Sequence, residues 1–251
     1  MNVDVFLTPG EVLPGEVAGR TVVVIDVLRA TSTIVEALSA GAKAIFPVGS
    51  IDDALRLANN IGRADVLLCG ERRCLPIDGF DMGNSPREFT ADRVAGKTLV
   101  MTTTNGTHAM SLTAGAERVI IGSIMNLDAV VEDLAASEAD PVFVCAGRER
   151  FFALEDAVCA GAMVKRLLEV RPGDWELNDG AVAASALMER FGAGTDLMAS
   201  VGAGKLLLDA GLQEDLAVCA DVNRHALVPV LYDRHITLAA PLSPVAETAA
   251  E

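Results

Sequence analysis

A chain of 251 residues that is 51% apolar can bury the core of one large domain, and with only 4% aromatic residues that core must be built from Ala, Val, Leu and Ile, which suits a buried parallel sheet under helices. A net charge of −15 excludes a general nucleic-acid or anionic-membrane surface, because there is no basic face to displace counterions. Five scattered cysteines without a CxxC pair point to a reducing cytoplasm rather than to a disulfide framework or a zinc site.

The N-terminal MNVDVFLTPGE has neither a basic leader nor a long apolar stretch, and no run in the chain approaches the length of a membrane helix. Ala18-Gly19-Arg20-Thr21 then opens a unit that is repeated from Ala95-Gly96-Lys97-Thr98. Each opening leads into a short apolar strand, 22–25 or 99–101, and then into a polar loop, 26–33 or 102–107. A helix follows and stops at Gly41 or Gly115, as a glycine C-cap makes it. Second strands at 44–48 and 118–121 close with Gly-Ser, and second helices follow near 52–60 and 127–136. Third strands at 66–69 and 142–145 both end in Cys, Gly and Arg. Alternating strands and helices predict a mostly parallel sheet with right-handed crossovers, whose ligands bind beyond the carboxyl ends of the strands. After Asp156 the pattern is mainly helical, over 157–170, 179–191 and 200–210, with short strands expected at 227–231 and 236–238. The expected architecture is therefore α/β: a mostly parallel sheet with flanking helices, built from two related βαβ-type units (18–73 and 95–150) plus a helical C-terminal region. It forms one catalytic domain over 1–240, with a flexible tail at 241–251.

Four polar loops fall at strand ends, at 26–33, 70–88, 102–107 and 146–156, and the site is expected where they converge. Asp26, Glu71, Asp81 and Asp156 offer oxygen ligands suited to Mg²⁺ or Mn²⁺. Arg29, Arg72 and Arg148 offer planar donor forks for phosphate, sulfonate or carboxylate. Asn84 and Ser85 lie in the same Gly/Pro-rich loop as Asp81, and Thr103, Thr104, Asn105 and Gly106 present hydroxyls and backbone N–H groups at a helix start. Each of these residues also has an ordinary structural use. Asp26 suits a helix N-cap, Arg29 a salt bridge, the 102–107 segment a plain turn, and Asp81, Asn84 and Ser85 a loop that binds nothing. Spacing excludes several known sites. Asp26-Val27-Leu28-Arg29 lacks the second Asp of a DxD loop, no Cys has Arg six positions on, and Gly204-Lys205 has Ala199 where a Walker A loop needs Gly. His108, His225 and His235 show no metal-binding spacing.

The segments Val24–Thr33, Gly70–Glu88, Thr102–Thr107 and Cys145–Gly161 together resemble the 2-phosphosulfolactate phosphatase family, and weaker similarity continues through 200–208 to Val228-Pro229. The resemblance implies an α/β fold and Mg²⁺-dependent hydrolysis of the phosphate ester of 2-phospho-3-sulfolactate. The residue chemistry agrees, since three anionic groups on such a substrate call for several arginines and a metal. Asp26, Arg29, Glu71 and Arg72 are then the catalytic candidates, and both an aspartate nucleophile and attack by metal-bound water stay open. Two other readings are a phosphatase of another small phosphorylated hydroxy acid and a non-catalytic binder of an anionic metabolite. The carboxylates argue against the binder, because a pure anion site gains nothing from acidic groups beside its ligand. The expected partner is a small anionic substrate, with no nucleic acid and no membrane, and a homodimer is left open.

Overall fold

The computed structural model describes residues 1–137 and 139–239, so the expected tail at 241–251 lies outside the described residues. Among the described residues, eleven strands form one sheet: β1 (Asn2–Phe6), β2 (Thr21–Ile25), β3 (Ala44–Pro47), β4 (Val66–Arg72), β5 (Leu75–Pro76), β6 (Thr98–Thr102), β7 (Arg118–Gly122), β8 (Pro141–Cys145), β9 (Glu176–Leu177), β10 (Pro229–Tyr232) and β11 (His235–Leu238). Their order is β5-β4-β6-β3-β11-β10-β7-β2-β8-β1-β9. The fold is α/β with a large, mostly parallel mixed sheet flanked by helices, as expected.

The two repeated units do not build separate blocks. β2, the first strand of one unit, lies between β7 and β8 of the other, with Thr21 opposite both Arg118 and Pro141. β6, the first strand of the second unit, lies between β3 and β4, with Thr98 opposite both Ala44 and Val66. The units have thus exchanged their first strands. The C-terminal hairpin β10–β11 fills the middle of the sheet, pairing antiparallel with β7 on one side and β3 on the other. It covers two strand edges that would otherwise carry unpaired N–H and C=O groups. Its turn residues, Asp233 and Arg234, are both left-handed (φ 44° and 67°), which a two-residue turn of matching twist requires.

This topology corrects the expectation of loops gathered along one edge of a sheet. Because three antiparallel steps lie between them, β2 and β6 run oppositely, and in a flat sheet their carboxyl ends would lie at opposite edges. They meet nevertheless. Gly106, just past β6, is so close to Asp26, just past β2, that a Cβ there would lie 2.7 Å from Asp26 Oδ2 and 2.5 Å from Ala30 Cβ. The sheet must twist and curl until its diagonal corners converge. Packing agrees. One core cluster draws Val22 and Val24 from β2, Ile45 from β3, Leu99 and Met101 from β6, and Val142 and Val144 from β8 around Ile34 and Leu38 of helix Ala30–Ser39. The alternate residues Val23 and Ile25 face a second cluster with Val158 and Met163 of helix Leu154–Val170, as the two-residue period of a strand dictates. That placement explains composition. Helix Ala30–Ser39 is buried over most of its surface, whereas Ile51–Ile61 buries only Ala54 and Ala58, one turn apart, and shows charge elsewhere.

The expected helix 179–191 matches Asp179–Phe191, capped by the Asn178 side chain accepting from Ala181 N–H and ended by Gly192. Helix 157–170 begins three residues earlier, at Leu154, and the expected 200–210 helix spans Gly202–Asp209. Gly70 is the tightest joint near the site. It sits at φ 144° opposite Thr102, and a Cβ there would overlap the Thr102 carbonyl. Gly70→Ala should therefore destabilise the fold by about 3 kcal/mol or more, through overlap plus backbone strain. Urea denaturation measures this, and an unchanged midpoint would show that β4 and β6 are not held this closely.

Candidate active site

The polar residues after β2 are consumed in holding the loop. Thr31 Oγ1 donates to the Asp26 carbonyl, Ser32 Oγ to the Val27 carbonyl, and Thr33 Oγ1 to the Asn84 carbonyl (2.8, 2.8 and 3.0 Å). This leaves Asp26 buried at 4% exposure, with Oδ1 accepting from Ala30 N–H at 3.2 Å and Oδ2 without a donor among the described residues. Burial pushes the Asp26 carboxyl up to about 7. The Ala30 N–H pulls against that shift, the Glu71 and Glu155 carboxylates add to it, and the Arg29 guanidinium opposes it.

Arg29 is equally buried. It donates to Asp215 Oδ2 at 2.8 Å and to the Cys74 carbonyl at 3.1 Å. Cys74 belongs to a tight hairpin after β4, in which Arg73 and Cys74 are both left-handed (φ 53° and 67°). The second unit repeats this device after β8: Arg148 pairs with Phe151 across Glu149 and Arg150 (φ 51° and 69°). Non-glycine residues in this conformation carry strain, which gathers at functional sites. Side chains and backbone lock the tips to the other loops. Glu71 accepts from Thr104 N–H at 2.8 Å and Cys74 N–H at 2.9 Å, and Asn105 Oδ1 accepts from Glu149 N–H at 2.8 Å.

These loops line an open cleft. Of the residues expected from sequence, the structure brings Asp26, Arg29, Glu71, Asn84, Thr103, Thr104, Asn105 and Arg148 to its wall. Five others are placed elsewhere. The Arg72 guanidinium caps the end of β6, donating to the Thr102 carbonyl and hydroxyl. Arg73 takes its place on the wall. Arg73 lies beyond the end of β4, in the left-handed turn that leads to β5, so strand alternation does not foretell its place on the wall. Ser85 Oγ points to Asp215 Oδ1 at 2.6 Å rather than to the cleft. Gly106 packs against Asp26 and admits it by having no side chain. Asp81 is held by Arg63 at 3.0 Å and by Leu68 N–H at 2.7 Å, and Asp156 joins the loops after the neighbouring strands β2 and β8 by accepting from Val27 and Gly147 N–H at 2.8 and 3.0 Å.

The expected four-carboxylate metal set is therefore not assembled. Asp81 and Asp156 are occupied away from the cleft, both Glu71 oxygens accept backbone N–H groups, and no cluster of three His, Cys, Asp or Glu able to hold a metal occurs among the described residues. What remains is a smaller set of hard oxygens. Besides Asp26 Oδ2, the residues of the wall include Asn84, whose Oδ1 is a buried acceptor with no partner among the described residues. A Mg²⁺ ion commonly takes one or two protein oxygens and completes its shell with water and substrate phosphate, so this pair fits such an ion. Two residues on the wall, Arg73 and Arg148, have guanidinium groups that make no hydrogen bond or ion pair among the described residues. Gly202, opening helix Gly202–Asp209, leaves room for the Arg148 guanidinium, and Ala203, Leu206 and Leu28 complete an apolar wall. Sequence reading also passed over Glu149 and Cys74 on the wall, and the buried Glu155 beside Asp26.

Guanidinium groups free of ion pairs beside a buried carboxyl raised towards neutrality suit an enzyme acting on a small anionic substrate. A family model described as 2-phosphosulpholactate phosphatase matches residues 6–234. Proteins named probable 2-phosphosulfolactate phosphatase are 42% identical in Symbiobacterium thermophilum, over 89% of this chain and 96% of that protein, and 42% identical in Thermotoga petrophila, over 91% and 95%. A third of the same name, from Caldanaerobacter subterraneus, is 40% identical over 84% and 88%. The chain belongs to the 2-phosphosulfolactate phosphatase family and is a phosphoric monoester hydrolase. No helix among the described residues is long and apolar enough to cross a membrane.

Asp26 yields a test with a defined sign. Its folded pKa lies above its ordinary value of 3.8, so the folded state holds its proton longer than the unfolded chain, and stability falls as pH rises from about 4 to about 7. Asp26→Asn, measured with chelator present, should melt above the unsubstituted protein at pH 8, and the gap should close towards pH 4. The same variant should lose about 10²–10⁴-fold in turnover. Full activity would remove Asp26 from the site.

Proposed function

We propose that this protein hydrolyses the phosphate ester of 2-phospho-3-sulfolactate, releasing sulfolactate and phosphate, with Mg²⁺ as its cofactor. The observation that carries the reading is the convergence of Arg29, Arg73 and Arg148 on the cleft that holds Asp26, in a chain whose net charge is −15. Three guanidinium groups match a substrate bearing phosphate, sulfonate and carboxylate. The apolar wall of Leu28, Ala203 and Leu206 faces its short carbon chain.

Asp26 and Asn84 would hold the Mg²⁺, which polarises phosphate oxygens and offsets charge as the ester bond breaks. Arg29, fixed by its own partners, orients the phosphate, while Arg73 and Arg148 secure the other anionic groups. With its Oδ2 given to the Mg²⁺ and its Oδ1 to the Ala30 N–H, Asp26 acts as a ligand rather than as the base that takes the water's proton. Water oxygen bonds to phosphorus, the ester oxygen leaves, and the proton that was on the water ends on the new hydroxyl. The left-handed hairpin tips hold the charged groups at fixed positions, which lowers the reorganisation needed during the reaction.

Phosphate release should be assayed over a panel of phosphorylated hydroxy acids with and without Mg²⁺. The expected result is Mg²⁺-dependent release, abolished by chelator and fastest with the sulfonated substrate. Release that is faster from an unsulfonated hydroxy acid would assign another substrate, and binding without release would make the protein an anion binder. Arg73→Ala and Arg148→Ala should each cost about 1.5–3 kcal/mol in kcat/KM, with lysine restoring only part. Arg72→Ala should lower stability with little change in KM; the reverse pattern would return Arg72 to the cleft in place of Arg73.

A further inference from the structure

The C-terminal region enters the site from behind. Asp215, on helix Gln213–Cys219, has no exposed surface, and both of its oxygens are engaged. Oδ2 takes the Arg29 guanidinium at 2.8 Å and Oδ1 takes the Ser85 hydroxyl at 2.6 Å. Ser85 directly follows Asn84, whose unpartnered Oδ1 is at the cleft. The neighbouring Glu214 pairs with Arg87, which ties the same helix to the turn Pro86–Glu88. One carboxylate thus joins three segments that are far apart in sequence. It also confronts Arg29, a guanidinium with five N–H groups of which only part is used by Asp215 and the Cys74 carbonyl.

We propose that Asp215 is the positioning residue of the cleft. It fixes the Arg29 guanidinium against the wall, holds the Asn84–Ser85 loop beside it, and offsets part of the arginine charge, so that the C-terminal helix sets how tightly the site grips an anion. The inference rests on the reading that Arg29 contacts the anionic substrate. Its physical basis is the strength of charge-assisted hydrogen bonds in a dry setting, where an unpartnered guanidinium would hold phosphate too long and an unanchored one would not present to it.

Two variants act in opposite directions. Asp215→Asn keeps an acceptor for Arg29 and a partner for Ser85 but removes the negative charge. Inorganic phosphate, titrated calorimetrically into the full-length protein, should bind about tenfold more tightly, with kcat falling as product is retained. Ser85→Ala leaves the ion pair but deprives Asp215 of its second donor, which throws more of the carboxylate charge onto Arg29, and phosphate should bind several-fold more weakly. If Asp215 is only a packing contact, both variants lower the melting temperature while phosphate affinity stays at the unsubstituted value, and that result overturns the proposal. Should Asp215→Asn fail to fold, an unchanged phosphate affinity in Ser85→Ala overturns it equally. Failure of the functional reading is distinguishable, because it shows as no phosphate release from the sulfonated substrate by the unsubstituted protein and leaves the phosphate titrations interpretable.

Discussion

A strand cannot keep its polar backbone out of water without neighbours, and in this protein each half of the chain borrows the neighbours of its first strand from the other half. β2 is buried on both faces and hydrogen-bonded on both sides by β7 and β8, and β6 likewise by β3 and β4. This exchange fixes which loops can meet. The antiparallel C-terminal hairpin between the two halves sets the first-strand loops in opposite directions, and Asp26 nevertheless comes to lie against Gly106. The cleft is a consequence of pairing and twist, not of a shared edge.

The electrostatics of the cleft follow from what those contacts leave over. Most polar groups in the four loops are spent on backbone: Glu71 on two N–H groups, Asp156 on two more, Thr31 and Ser32 on carbonyls. Such spending rigidifies the loops and removes candidates from chemistry. Asp26, Asn84, Arg73 and Arg148 stand out because they retain unspent capacity at the cleft. A buried carboxylate with other carboxylates nearby is costly unless a proton or cation joins it, and that cost is the reason Asp26 titrates near neutrality.

Elements with strong local signals were readable from sequence alone. Helix Asp179–Phe191 announces itself by Asn178 and Gly192, and the β10–β11 strands by short apolar runs on either side of a turn. β1 was not read, because five residues of alternating NVDVF carry little pattern and its partner β8 lies far along the chain. The strand exchange was equally hidden, since the order of strands and helices is the same whichever unit supplies the partner. Within the site, motif residues such as Asp26 and Asn84 were legible by type and loop position. Which of Arg72 and Arg73 faces the cleft depends on where β4 ends and its left-handed turn begins, and no local signal in the sequence marks that point. Asp81 was read as a ligand because nothing local shows that Arg63, in the preceding loop, will take its carboxylate. Asp215 was invisible for the same reason: an acidic residue early in a helix is ordinary until the fold sets an arginine against it.

The exchanged strands also govern the order in which the molecule can assemble on the ribosome. β2 emerges early, yet its two partners are complete only once Cys145 has been made, and the hairpin that seals the middle of the sheet comes last of all. Until then the nascent chain carries apolar strands with open edges, and closing them requires contacts between distant residues rather than local ones. The architecture that gives the cleft its rigid walls therefore makes folding a late, concerted event, and places the greatest risk of misassociation in the interval before the second unit is synthesised.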